Sequence, residues 1–168
     1  MSATPKHLAS VALAGVGLAA FAGPASAEER VCRGTIGQTT VDNVRVPQGA
    51  LCTLNRTYAK GTVKVERGAT LRAYAVRVVG NVQGEGHRSI TVSRGSRVNG
   101  SLQAKQGGGA LVEDSVFGSD VQFFSNSGTI TIRRNRINGN LQCKSNTPAP
   151  VGHSNVVGGN KEDQCRRL

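Results

Sequence analysis

The stretch VVGNVQ, residues 78–83, returns as VNGSLQ at 98–103, FGSDVQ at 117–122 and INGNLQ at 137–142. Its glutamines fall at Gln83, Gln103, Gln122 and Gln142, at intervals of 20, 19 and 20 residues. Cutting the chain at the same point of each copy divides residues 44–160 without remainder into six units of 19, 19, 20, 19, 20 and 20 residues. Near-constant unit length is the signature of a repeat architecture. Within the units apolar residues alternate over short runs, as at Val63 and Val65, Val76 and Val78, Ile90 and Val92, Ile130 and Ile132. Period-two alternation marks half-buried strands, and Gly, Asn or Ser interrupts each run. A unit of about twenty residues that turns three times is one coil of an all-β, single-domain parallel β-helix. Six coils stacked about 4.8 Å apart give a rod roughly 29 Å long.

In such a rod each column of equivalent positions has one environment. The columns Ala59, Val78, Val98, Phe117, Ile137, Val157 and Val63, Val82, Leu102, Val121, Leu141 are apolar and are expected to point inward. Between them lie Gly61, Gly80, Gly100, Gly139 and Gly159, with Ser119 in one copy. These glycines are expected at a corner that needs unusual backbone angles. Thr62, Asn81, Ser101, Asp120, Asn140 and Asn160 follow as small polar groups that bond turn backbone. The last column, Lys64, Gln83, Gln103, Gln122, Gln142 and Glu162, faces out. Its stacked amides are expected to hydrogen-bond along the rod, which makes them a structural ladder rather than a ligand stripe.

The chain of 168 residues has no Trp, only 4% aromatic residues and 22 Gly. That suits the thin aliphatic core of a solenoid. Residues 1–27 read as a signal peptide: Lys6 and His7, then LASVALAGVGLAAFAG, then Pro24 and the small triplet Ala25-Ser26-Ala27. No later segment is apolar enough to span a bilayer. After it the expected layout is an N-terminal cap segment at 28–43, β-helix repeats at 44–160 and a C-terminal cap tail at 161–168. The formal charge is +11, and loss of Lys6 with the signal leaves +10. A basic exported protein attracts anionic polymers such as wall polymer or acidic polysaccharide.

Cys32 and Cys52 lie 20 residues apart, and Cys143 and Cys165 lie 22 apart, each close to one coil. Stacked coils make such residues neighbours, so the expected disulfides are Cys32–Cys52 and Cys143–Cys165, stapling the two ends. Each would contribute roughly 3 kcal/mol from loop closure. Zinc is not expected, because no C-x-x-C spacing occurs and the 3 histidines are scattered. No cofactor is implied.

The G-[NSD]-[VL]-Q coils, the stapled ends and the closing GNLQCKSNTPAP…GGNKEDQC resemble a group of small exported proteins of high-GC Gram-positive bacteria with no assigned function. The wider architecture resembles right-handed parallel β-helix repeat proteins, which include pectate-lyase-like enzymes and polymer-forming scaffolds. The resemblance implies a right-handed coil. It also raises two alternatives, a carbohydrate-active enzyme and an end-to-end self-assembling scaffold.

Polysaccharide lyases and hydrolases build clefts from inserted loops and cluster carboxylates there. Units that vary by one residue leave no room for such an insertion. Glu113, Asp114 and Asp120 form the one local acidic group, and Glu113 is expected to pair with Arg94 and Arg133 in neighbouring coils. No G-x-S-x-G nucleophile elbow occurs, so no catalytic residue is assigned. A binding surface is better supported. Tyr58, Arg77, Arg97, Val116, Arg136 and Val156 share one outward column, with Arg72, Arg94, Arg133 and Arg134 on nearby strands. Arg77, Arg97 and Arg136 are the candidate ligand-binding residues, because guanidinium forks take phosphate or carboxylate bidentately. A nucleic-acid partner is not expected, since no RNA-binding aromatic motif accompanies the basic residues and the chain reads as exported. The expected protein is secreted, non-enzymatic, and structural or adhesive at the cell envelope.

Overall fold

The alternating runs do become strands, because each buries one face while the backbone bonds to the coil above and below. The computed structural model describes residues 28–168, and the expected signal peptide lies outside them. Three parallel sheets wrap one core. Sheet A has eight strands, from Glu29–Val31 to Lys161–Asp163. Sheet B has seven, from Gly34–Ile36 to Val151–His153, and sheet C has seven, from Thr40–Val41 to Val156–Val157. The result is a β-solenoid of about seven turns with no helix among the described residues. Residues 28–43, expected as a cap, form the first full turn, with strands at 29–31, 34–36 and 40–41 in register with the next.

Register follows the repeat. Val82 pairs with Val63 and Leu102, Ile90 with Leu71 and Ala110, and Val98 with Val78 and Phe117. These residues line one continuous buried cluster. The turn that carries Phe117 has alanines at 104 and 110, so the ring's bulk is offset by small neighbours within that layer. Both expected disulfides are present, with Cα–Cα distances of 5.5 Å for Cys32–Cys52 and 5.2 Å for Cys143–Cys165. At the C-terminal end the Gln164 side chain accepts the Asn146 N–H at 2.9 Å and Cys165 enters the core, so the tail closes that end of sheet A.

The glycine column is correctly placed but differently caused. Gly61, Gly80, Gly100, Gly139 and Gly159 are not among the positive-φ residues. A Cβ at Gly61, Gly100, Gly139 or Gly159 would instead fall on the side-chain Oδ1 of Asn43, Asn81, Asp120 or Asn140 in the preceding turn. Those oxygens accept backbone N–H groups of the following turn: Thr62 to Asn43 at 2.8 Å, Ser101 to Asn81 at 2.8 Å, Asn140 to Asp120 at 2.7 Å and Asn160 to Asn140 at 2.8 Å. Glycine is needed for close approach of a polar ladder, not for backbone freedom. The left-handed residues sit elsewhere and are mostly not glycine. Arg56, Ala75, Arg94, Asp114, Arg134 and Ser154, with φ from 48° to 60°, turn the chain from sheet B to sheet C.

Candidate functional site

The arginine row forms as the repeat requires. Arg97 pairs with Arg77 below and Val116 above, Val116 with Arg136, and Tyr58 with Arg77. Each Arg precedes a buried residue of a two-residue strand, Val78, Val98 or Ile137, and is therefore exposed. Neighbouring turns lie about 4.8 Å apart, so Arg77 and Arg97 are immediate neighbours while Arg136 stands two turns beyond Arg97. None of the three forms an ion pair among the described residues.

Four other basic groups show what neutralisation looks like on this scaffold. Arg45 bonds Glu29 and Glu66, Lys60 faces Asp42 at 3.6 Å, and Arg133 meets Glu113 at 2.6 Å. Arg134 takes both oxygens of Asp114, at 2.7 and 2.9 Å, and also reaches Glu113 at 3.4 Å. Because Asp114 is the left-handed corner residue, it and Glu113 lie on the same exterior side despite being consecutive. The expected Glu113–Arg94 pair does not form. Arg94 aligns instead with Asp114's position at the corner, and its Cζ sits 4.4 Å from the Tyr74 ring centroid. The hydrogen bond from Arg134 holds the Asp114 carboxyl below its ordinary value, and Asp120 is occupied with the Asn140 N–H. Two of the three candidate acids are thus engaged with arginine and the third with backbone.

On sheet A the glutamine ladder bonds as expected. Gln83 Nε2 donates to Gln103 Oε1 at 3.5 Å, Gln103 to Gln122 at 3.1 Å, Gln122 to Gln142 at 2.8 Å and Gln142 to Glu162 at 2.8 Å. A shallow groove of about 700 Å³ runs beside its N-terminal half, between Lys64, Gln83 and Gln103 on one side and Glu66, Glu85 and Lys105 on the other.

Two buried polar ladders were not anticipated. At the A–B corner Asn126 and Asn146 point inward. Asn126 donates to Ala104 O at 3.0 Å and to Asn146 Oδ1 at 2.9 Å, while accepting Gly107 N–H at 2.9 Å. At the B–C corner Thr57, Ser96, Asn135 and Asn155 also bridge turns, with Asn135 Nδ2 on Val112 O at 2.8 Å, while the buried Ser115 hydroxyl bonds Glu113 O of its own turn. His87 occupies the A–B column two turns before Asn126 and is only 2% exposed. Its ring fills space left by Gly84 and Gly107, and neither nitrogen reaches hydrogen-bonding geometry with a protein atom. Burial lowers its pKa to about 4, opposed by the nearby Gly84 backbone. Among the described residues no group of three or more His, Cys, Asp or Glu is arranged to hold a metal ion. No helix among them is long and apolar enough to cross a membrane. No protein-family model, curated protein or solved structure matches this chain.

Proposed function

We propose that the chain is a secreted, non-enzymatic structural or adhesive protein of the cell envelope that holds an anionic wall polymer on the exterior of sheet C. One observation carries this reading: Arg77, Arg97 and Arg136 stack on one outward row without a carboxylate, whereas Arg45, Arg133 and Arg134 are each paired. A guanidinium takes an oxyanion in its fork plane, and the unpaired row offers such forks one turn apart at Arg77 and Arg97 and two turns further at Arg136. The two disulfides fit an oxidising compartment. The uniform turns favour a scaffold over a cleft-bearing lyase or hydrolase.

The triple substitution R77Q/R97Q/R136Q is expected to weaken binding to isolated cell wall by about tenfold or more, roughly 1.4 kcal/mol. Its β-rich circular dichroism should not change. Undiminished binding would remove the row from the function, and turnover of an acidic polysaccharide by the wild type would replace the scaffold reading with an enzymatic one. End-to-end self-assembly is a second reading, favoured by Val151 and Val156, 55% and 62% exposed on the last strands of sheets B and C. Sedimentation velocity separates the two: growth of filaments with concentration supports assembly, and a monomer at every concentration eliminates it.

A further inference from the structure

The arginines of the row do not share one environment. Sheets B and C of the second to fourth turns are built by residues 51–59, 70–79 and 89–99, which contain five arginines and no Asp or Glu. Both tyrosines of the chain, Tyr58 and Tyr74, lie in the same segments. Arg136 stands apart, one turn past Val116, and the corner beside it carries Arg133 and Arg134 tied to Glu113 and Asp114.

Local geometry gathers the five along one ridge. Arg56 and Arg94 hold the left-handed corner position, with φ of 55° and 60°, two turns apart. Arg72 precedes the corner on sheet B, level with Thr53 and Thr91, and Arg77 and Arg97 follow it on sheet C. Arg94 folds back over Tyr74 because its own turn places the small, buried Ser93 beside that ring. The cation–π contact fixes the guanidinium and leaves its N–H edge for another partner. Like charges stacked one turn apart repel. Elsewhere on the rod Arg45, Arg133 and Arg134 are each met by a carboxylate of a neighbouring turn. On this ridge no arginine has an ion pair among the described residues, and the one carboxylate level with it in the next turn, Asp114 above Arg94, is taken by Arg134.

We infer that the ridge between sheets B and C of the second to fourth turns is the polyanion site, and that its ligand is a polymer bearing phosphate or carboxylate groups. Oxyanions spaced by one or two turns, about 5 to 10 Å, fit the ridge. Arg136 lies outside it, and Tyr74 is a positioning residue that acts through Arg94. The inference rests on the polyanion reading above and narrows it to a place and a ligand class.

The test titrates the full protein with sodium polygalacturonate, inorganic polyphosphate and phosphatidylglycerol vesicles at about 0.15 M salt, where only close contacts survive screening. At least one of the two polymers should bind, and R56Q/R72Q/R94Q should weaken it about tenfold or more. R136Q alone should change it less than about twofold, and Y74L about three- to fivefold, with Y74F close to wild type because it keeps the ring. Circular dichroism confirms that each variant is folded. Which polymer responds identifies the oxyanion, whereas binding to vesicles alone overturns the polymer class. Equal losses in R136Q and R97Q, or none in R56Q/R72Q/R94Q, overturn the ridge while leaving the polyanion reading intact. Absence of binding by the wild type to any of the three overturns both.

Discussion

Replacing Asn126 by alanine is expected to lower folding stability by about 2 to 6 kcal/mol, from two buried groups left unpaired at roughly 1–3 kcal/mol each. The side chain is buried and serves three partners at once: it accepts Gly107 N–H and donates to Ala104 O and Asn146 Oδ1. Truncation leaves Gly107 N–H and Ala104 O without that partner in an interior that water does not reach, while Asn146 Oδ1 keeps the backbone N–H of residue 126 at 3.0 Å, and the desolvation cost of the first two stands without compensation. Gln103 makes a comparison of the same bond type. It accepts from Gln83 at 3.5 Å and donates to Gln122 at 3.1 Å, but on the partly exposed face of sheet A. Water replaces those partners in Gln103→Ala, so its loss should stay below about 1 kcal/mol. Chemical denaturation of both variants beside wild type decides the matter. Equal effects, or an Asn126→Ala protein within 1 kcal/mol of wild type, would show that the interior ladder does not stabilise the rod through its hydrogen bonds.

That contrast marks how far the sequence could be read. The period, the inward columns, the glutamine ladder, the arginine row and both disulfides all follow from counting, because residues one coil apart must be spatial neighbours in a solenoid. What counting misses is direction at the corners. Asn126, Asn135, Asn146 and Asn155 are turn-favouring residue types, and they read as strand breaks. Only the register between adjacent turns shows that their amides point into the core. Ten of the left-handed positions carry Arg, Ala, Asp, Gln or Ser where glycine would be the usual marker, so those give no local signal. Glycines that do stand out, such as Gly100, are required by the side chain one turn below. The Arg94–Tyr74 contact is a matter of side-chain direction at the corner. Counting from the unit starts at Val82 and Leu102 places Arg94 level with Asp114, as observed, and Glu113 level with Ser93, but it does not show that Arg94 turns onto the Tyr74 ring of the turn below.

His87 is the place where this ordered interior conflicts with itself, and acid should expose the conflict. Its folded pKa is depressed to about 4, against 6.5 in the unfolded chain, because burial penalises the imidazolium. The unfolded state therefore binds more protons between these values, and stability rises with pH across the same window. The neutral form gives full stability above pH 6.5. Between pH 6.5 and 4 the cost grows, to about 3 kcal/mol at pH 4, and it levels off below. The Asp114–Arg134 pair also weakens in acid, since a carboxyl held below its ordinary value loses its contribution only as pH falls through that lowered value. That loss belongs to any variant that keeps the pair, so the informative quantity is a difference. His87→Asn carries the residue type used at 126 and 146 in the same column and has no group that titrates in this window. Its unfolding free energy should be flat from pH 7 to 5, where wild type loses about 2 kcal/mol. Below about pH 4, where the His87 cost levels off, the two proteins should fall in parallel as the carboxylates protonate. If wild type and His87→Asn lose stability along the same curve from pH 7 to 5, water or a rearranged corner solvates the ring, and the buried imidazole is not the acid-sensitive element of the rod.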